Sequence, residues 1–365
     1  MVYFDSIKQA IFLFPFIALL FTIPFILAQY HRYGSINKLR VLIVYSFILY
    51  MITIYFLVIL PLPDISLVRQ MKAIKPQLIP FHFVVDIVKD NPLVIGDPST
   101  YIKAIFDKSI YVVIFNIFMT IPFGMYLRYY YKCSLGKTVL MSFLLSLFFE
   151  VTQLSGLYFI YPKAYRLFDV DDLILNTFGG FIGYYLMSMI KVLPSRDKID
   201  SDAIKAGEQV SGLRRMTLFW LDVILFLVLY GIIYIIFRKS YIKYIVFFLY
   251  YILIPILLDC RTLASTFLNV RYEFHDHKYI RMTFKTLLEF IYYFVLPYSL
   301  IYLVVKCIKI MELGSLLILI IVFLVITLVF IFYIVSIIRV LRNKNMLYDV
   351  VTKTNILSTI KCNDD

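Results

Sequence analysis

The chain has 365 residues, of which 62% are hydrophobic and only 16% charged, with a mean hydropathy of +0.87. A soluble protein this apolar would expose large patches and aggregate, so its natural solvent is a bilayer. A secreted disulfide scaffold, a disordered chain and an ordinary cytosolic enzyme are excluded. The net charge of +13 reads as the positive-inside bias of membrane proteins and not as a nucleic-acid footprint, because no basic face survives outside the apolar runs.

In chain order, nine apolar runs are long enough to predict spanning helices, near 9–28, 39–61, 109–127, 138–158, 170–190, 217–237, 243–258, 285–306 and 313–338. The first lacks a basic leader and ends at Gln29-Tyr30-His31-Arg32, which predicts a retained helix and not a cleaved signal. The seventh is short and contains Pro255. The expected fold is an all-α integral membrane protein with two helical units of five and four helices. The first unit covers residues 1–190 and the second 211–365, with 191–210 as a cytoplasmic linker. Between the second and third runs, 62–108 carries Pro63, Pro76, Pro80, Pro92 and Pro98, which predicts extended segments and turns on the outer side. With the N-terminus outside and the C-terminus inside, most of the 36 Lys and Arg fall on inside connections, the expected bias for a bacterial cytoplasmic membrane. Cys133, Cys260, Cys307 and Cys362 are scattered and form no CxxC, so no disulfide framework or metal site is expected. His275 and His277 read as exposed loop residues.

In hydrocarbon a polar side chain needs a partner, so the informative residues are the exceptions to apolarity. The third run carries Asn116, Thr120 and Gly124 at spacings of four, with Pro122 beside them. On the fourth, Ser142, Ser146, Glu150 and Gln153 share one face, and on the fifth Asp169, Asp172, Asn176, Gly179 and Gly183 do the same. The glycines permit close helix approach. Asp171 points off this face and is expected to be solvated. At 1.5 Å per residue, Asn116, Glu150 and Asn176 lie roughly 10–12 Å below the outer surface, so the three stripes are expected to face one another. Arg166 stands where it can reach Glu150, Asp169 or Asp172 across the rim. Spacing alone leaves two readings equal: a satisfied hydrogen-bond network joining three helices, or an outward polar pocket for an anionic or zwitterionic ligand. A metal held by Glu150, Asp169 and Asp172 is a weaker third, since no His shares these faces.

The stretch NIFMTIPFG (116–124), then EVTQ (150–153), then RLFDVDDLILNTFGGFIGYYL (166–186) resembles the VanZ-like family of bacterial membrane proteins over roughly residues 40–190. Asn116, Pro122, Gly124, Glu150, Gln153, Arg166, Asp169, Asp172, Asn176, Gly179 and Gly180 match its pattern, and PQLIPF (76–81) resembles its N-L-I-P-F with Gln77 for Asn. The resemblance implies an association with resistance to teicoplanin and related lipid-tailed glycopeptides. Residues 211–355 resemble the RDD family: Arg214 or Arg215 as the leading Arg, then Asp222, a turn at DCRTLAST (259–266), and Asp349 in LYDVVTKT (347–354). In this half Cys260 and Ser265 replace the turn glycines, Thr266 its Lys, and Tyr348 the late His. Asp222 is expected to pair with Arg214, Arg215 or Arg261 at the membrane boundary.

No GxGxxG after a strand, GxxxxGK[ST], HExxH or GxSxG occurs, so nucleotide-driven transport is not encoded and no cofactor is expected. The sequence therefore predicts a non-catalytic membrane protein whose Asn116, Glu150, Gln153, Arg166, Asp169, Asp172 and Asn176 bind an envelope lipid, a peptidoglycan precursor or a lipoglycopeptide. The rivals are a lipid-headgroup or precursor-editing enzyme using Glu150 and Asp172 as acid and base, and an ion- or proton-coupled transporter. Nothing in the sequence fixes an oligomeric state.

Overall fold

Long apolar stretches become helices because only a helix satisfies its own backbone polar groups in hydrocarbon. The computed structural model describes residues 2–310 and 315–361. The first helices are α1 (Val2–Tyr33) and α2 (Lys38–Ile59). The proline-rich outer segment folds into short pieces: α3 (Ile65–Gln70), α4 (His82–Asp90) and α5 (Tyr101–Ile105). Then come α6 (Lys108–Tyr129), α7 (Leu135–Leu154), the left-handed turn α8 (Gly156–Phe159), α9 (Val170–Met189) and α10 (Arg196–Gly207). The remainder comprises α11 (Gly212–Phe237), α12 (Ile242–Phe248), α13 (Ile254–Leu257), α14 (Leu263–Phe267), β1 (Val270–Phe274), α15 (Lys278–Phe290), α16 (Leu296–Ile310), α17 (Ser315–Leu341), α18 (Leu347–Thr352) and β2 (Thr354–Ser358).

The chain is a multi-pass membrane protein of the all-α class. Among the described residues seven helices are long and apolar enough to cross a bilayer, not nine. The two predicted spans missing from that set are both helical. α9 carries Asp171 and Asp172 in its first turn, with Asn176 further in, which lowers its hydropathy. Ile242–Leu257 is shorter than the roughly 20 residues a span needs, and a π-helical segment, Leu249–Leu253, sits inside it. Residues 313–314 of the ninth predicted run lie outside the described residues, as do Cys362 and the side chain of Cys307. Cys133 and Cys260 are free.

Helix starts follow local chemistry. Asp107 accepts the N–H of Ser109, Ser134 that of Lys137, Asp169 that of Asp171 and Ser211 that of Arg214, so each caps donors that have no partner inside the helix. The 191–210 segment, read from sequence as a linker, contains the polar helix α10.

By internal contact the chain divides into two compact units, Met1–Phe21 with Lys38–Ile199, and Thr22–Asn37 with Asp200–Asp365. In the first, α6 packs along α9 and α7 against α9. Glycines set the α6–α9 distance: a Cβ at Gly124 would stand 2.0 Å from the Gly180 carbonyl oxygen, and one at Gly183 2.0 Å from that of Ile121. Any larger side chain would force these backbones apart. Pro122, with no N–H to donate, sits inside α6 without ending it.

In the second unit, Tyr30, Leu218, Cys260, Ala264, Leu268, Val270, Tyr272 and Met282 form a buried apolar cluster. A two-stranded antiparallel ribbon, which the sequence reading lacked, pairs β1 with β2, Tyr272 opposite Ile356.

Candidate functional site

The three polar stripes on α6, α7 and α9 meet. The Asn116 amide donates to the Asp172 carboxylate at 2.5 Å, and Thr120 Oγ1 to the Asn176 carbonyl at 2.7 Å. On the facing side, Asn176 Nδ2 donates to Ser146 Oγ at 2.9 Å, and Ser146 Oγ to the Asp172 carbonyl at 3.2 Å. Glu150 completes the layer by accepting the Asp169 N–H at 2.9 Å. Helical spacing put these residues on common faces, and close α6–α9 packing brings the faces within hydrogen-bonding distance. The Asn176 Oδ1 atom is buried without a partner.

Glu150 and Asn176 are buried, whereas Asp169 and Asp172 are partly open. Glu150 lies in the field of both Asp172 and Asp169. Burial raises the Asp169 carboxyl above the usual carboxylate range, against the lowering effect of the Asp171 N–H it accepts, and the charge of Asp171 raises it further. The cluster is therefore rich in carboxylates.

Two expected site residues are committed elsewhere. Arg166 donates to the Val58 carbonyl and, at 2.6 Å, to that of Leu60. Its charge is felt by Glu150, but its guanidinium hydrogen bonds go to the end of α2. Gln153 Nε2 donates to the Val58 carbonyl at 3.1 Å, and Tyr165 to that of Ile59 at 3.3 Å. The last carbonyls of a helix have no intrahelical donor, and a cation there also complements the helix dipole. These three side chains thus cap α2 instead of reaching over the rim.

Asp171, expected to be solvated, is 3% exposed. Its two carboxylate oxygens accept the N–H groups of Phe81 at 2.6 Å and Phe83 at 2.8 Å. It thereby holds the start of α4, where Phe81 adopts a positive φ of 64°. Gln77 fixes the other end of the same strap: its N–H donates to the Phe168 carbonyl and its carbonyl accepts the Val170 N–H. Periodicity gave no sign of this, because the partners are main-chain groups at the start of α4, some ninety residues away. The available signal was the run of acids at the first turn of a helix, where negative charge is favoured.

Among the described residues no group of three His, Cys, Asp or Glu is placed to hold a metal ion. The trio Glu150, Asp169 and Asp172 is occupied by amide and backbone donors.

In the second unit, Asp222 does not pair with Arg214, Arg215 or Arg261. It accepts the hydroxyls of Tyr250 at 2.7 Å and Thr262 at 2.8 Å. Buried Arg214 instead donates to the carbonyls of Gly207, Leu268 and Asn269 and to Ser358 Oγ. Arg215 forms a 2.6 Å ion pair with Asp349, whose side chain is 1% exposed. His275 and His277 are exposed, as expected.

The VanZ/LLP1 family model matches residues 47–191, the segment that contains α6, α7, α9 and their shared polar layer. No curated protein and no solved structure matches the chain.

Proposed function

We propose that residues 47–191 act as a VanZ-type unit that lowers susceptibility to teicoplanin-like, lipid-tailed glycopeptides by holding an envelope ligand at the Asn116–Glu150–Asp169–Asp172–Asn176 layer. The reading places the protein in a bacterial cytoplasmic membrane with its N-terminus outside and C-terminus inside, so that the layer faces outward. One observation carries it: three carboxylates gather at one level while the neighbouring Arg166 spends its hydrogen bonds on α2. Such a layer complements donor-rich groups, the amines and hydroxyls of a phospholipid headgroup, a peptidoglycan precursor or the glycopeptide itself. Of the anionic and zwitterionic ligands that the spacing admits, the same charge balance disfavours the purely anionic one. Gln153 and Arg166 then support the site by fixing α2, without touching the ligand.

The test is complementation in a deletion host with wild type, Asp172→Asn or Glu150→Gln, each checked for membrane abundance. Selective protection against teicoplanin over vancomycin by wild type, lost in both variants, is expected. Equal protection by the variants would sink the ligand role and leave the layer as helix glue. A second reading, editing of a lipid headgroup or precursor, draws on Glu150 and Asp172 as two carboxylates in unlike surroundings, one closed and one partly open. An envelope lipid and precursor profile unchanged by deletion would remove it.

We further propose that the second unit is RDD-like. The support is that Arg215 and Asp349, the first and last motif positions, form one ion pair.

A further inference from the structure

The second unit contains a cavity of about 410 Å³. That lies near the small end of small-molecule sites, which run from roughly 300 to 1,000 Å³. Its wall is dominated by aromatic rings, among them Phe219, Trp220, Tyr251, Tyr293 and Phe294. The rings support each other: Phe219 packs on Tyr293 at 4.8 Å between centroids and stacks on Phe294 at 6.4 Å.

Five charged residues line the same space, Arg215, Asp222, Lys285, Glu289 and Asp349. Both cations are already engaged. Lys285 bonds Glu289 at 2.8 Å and lies 4.6 Å from the Tyr272 ring centroid, and Arg215 bonds Asp349 at 2.6 Å. Asp222 is the carboxylate left over. It is 7% exposed, accepts the Tyr250 and Thr262 hydroxyls on separate oxygens and has the Ala264 N–H as a further donor, all of them neutral, so the carboxylate has no cation of its own and keeps some lone-pair capacity. Among the described residues no basic side chain pairs with it. Asp349 adds an unpartnered Oδ1 in the same wall, on a residue 1% exposed.

We propose that this cavity binds a compact organic cation, an alkylammonium or arylalkylammonium group held between the aromatic rings and the Asp222 carboxylate. An excess acid in an apolar enclosure is neutralised either by a proton or by a positive partner, and the surrounding aromatic faces, which attract cations, favour the partner here. A divalent metal ion fits poorly: calcium and magnesium take six or more oxygen ligands and zinc four, and among the described residues no group of three His, Cys, Asp or Glu is placed to hold an ion. An anion finds both cations taken. The shared chemistry, a quaternary or primary ammonium, is available from a free lipophilic amine or from a phospholipid headgroup. The volume admits the headgroup but not a whole diacyl lipid.

Trp220 is the chain's single tryptophan and lines the cavity, so its emission reports occupancy. The experiment titrates benzyltrimethylammonium into the full-length protein in phosphatidylglycerol nanodiscs. Trp220 emission and titration calorimetry are the readouts, with neopentylbenzene as the uncharged isostere. Saturable binding is expected, weakened at least tenfold by Asp222→Asn and several-fold by Phe219→Leu, and not matched by the isostere. The proposal is overturned if wild type shows no saturable change, if Asp222→Asn binds as tightly, or if the isostere binds equally. Should Asp222→Asn fail to assemble, Phe219→Leu carries the test, and unchanged affinity there overturns it. Repeating the titration with phosphatidylethanolamine in the disc names the source: competition identifies the headgroup as occupant, and unchanged affinity identifies a free cation. These readouts use neither Glu150 nor Asp172, so their outcome is independent of the glycopeptide test.

Discussion

In the unit built on α6, α7 and α9, buried and half-buried carboxylates are held by main-chain N–H groups and neutral side chains. In the unit built on α11 and α15 they are held by cations and hydroxyls around an open space. Glu150 accepts the Asp169 N–H, Asp171 accepts two N–H groups and Asp172 an amide. Asp349 has Arg215, Glu289 has Lys285 and Asp222 has Tyr250 and Thr262. The cause is helix separation. Glycines at 124, 179, 180 and 183 bring backbones so close that short side chains and peptide groups reach one another. The second unit keeps large aromatic side chains between its helices, and long cations, a phenol and the Thr262 hydroxyl reach its carboxylates. The first arrangement is rigid and depends on backbone position. The second depends on charge balance and leaves room for a guest.

Four changes would break or sharpen this contrast. The largest effect is expected from Arg215→Met, which strands the buried Asp349 carboxylate at a cost of about 3–5 kcal/mol. The double variant Arg215→Met/Asp349→Leu should recover most of it in thermal unfolding of the detergent-solubilised protein. No recovery would show that the pair is not the source of the loss. Next, Gly183→Val drives a side chain into the Ile121 carbonyl and should cost about 3 kcal/mol. Gly231→Ala, at a helical position with nothing within 4 Å, should be neutral or slightly stabilising by the same assay. Equal effects at the two glycines would refute the close-approach argument.

Third, Asp171→Ala leaves the Phe81 and Phe83 N–H groups without their carboxylate, at about 2 kcal/mol. Hydrogen exchange should show both amides losing protection while the α6–α9 contact stays protected. The smallest effect concerns Asp259, whose carboxyl is held below the usual range by Lys278, with Arg271 adding to the effect. A lowered carboxylate stabilises above its unfolded pKa and loses that contribution as pH falls through its folded value. The pair is exposed and screened, so the term is below about 1 kcal/mol. Melting temperature measured from pH 6 to 3 should fall slightly more steeply for wild type than for Asp259→Asn, and the gap should close in high salt.

Much of the α6–α7–α9 layer was legible in the sequence because helical periodicity fixes which side chains share a face. Asn116, Thr120, Ser146, Glu150, Asp172 and Asn176 are where their spacings put them. The partners of Arg166 and Gln153 could not be read from the sequence because they are carbonyl groups at the end of α2, which no residue identity advertises. Asp171 was misjudged for the complementary reason, since its partners are N–H groups at the start of α4. Asp222 was expected to find an arginine, but Arg214 turns to backbone carbonyls and Arg215 to Asp349. Among the described residues seven of the nine predicted runs have the length and apolarity of a span, because apolar run length ignores both a polar first turn, as in α9, and the shortness of Ile242–Leu257.

The sequence by itself determined the solvent, the helical class, the polar faces and the small residues that let α6 and α9 touch. All of these follow from composition and from the 3.6-residue repeat, which are local properties. Only the tertiary structure decided where each charge is spent, which carboxylate is left without a cation, and that a cavity opens beside it. Those outcomes depend on distances between segments far apart in the chain, and a hydrogen bond to a peptide group leaves no mark on the identity of the residue that supplies it.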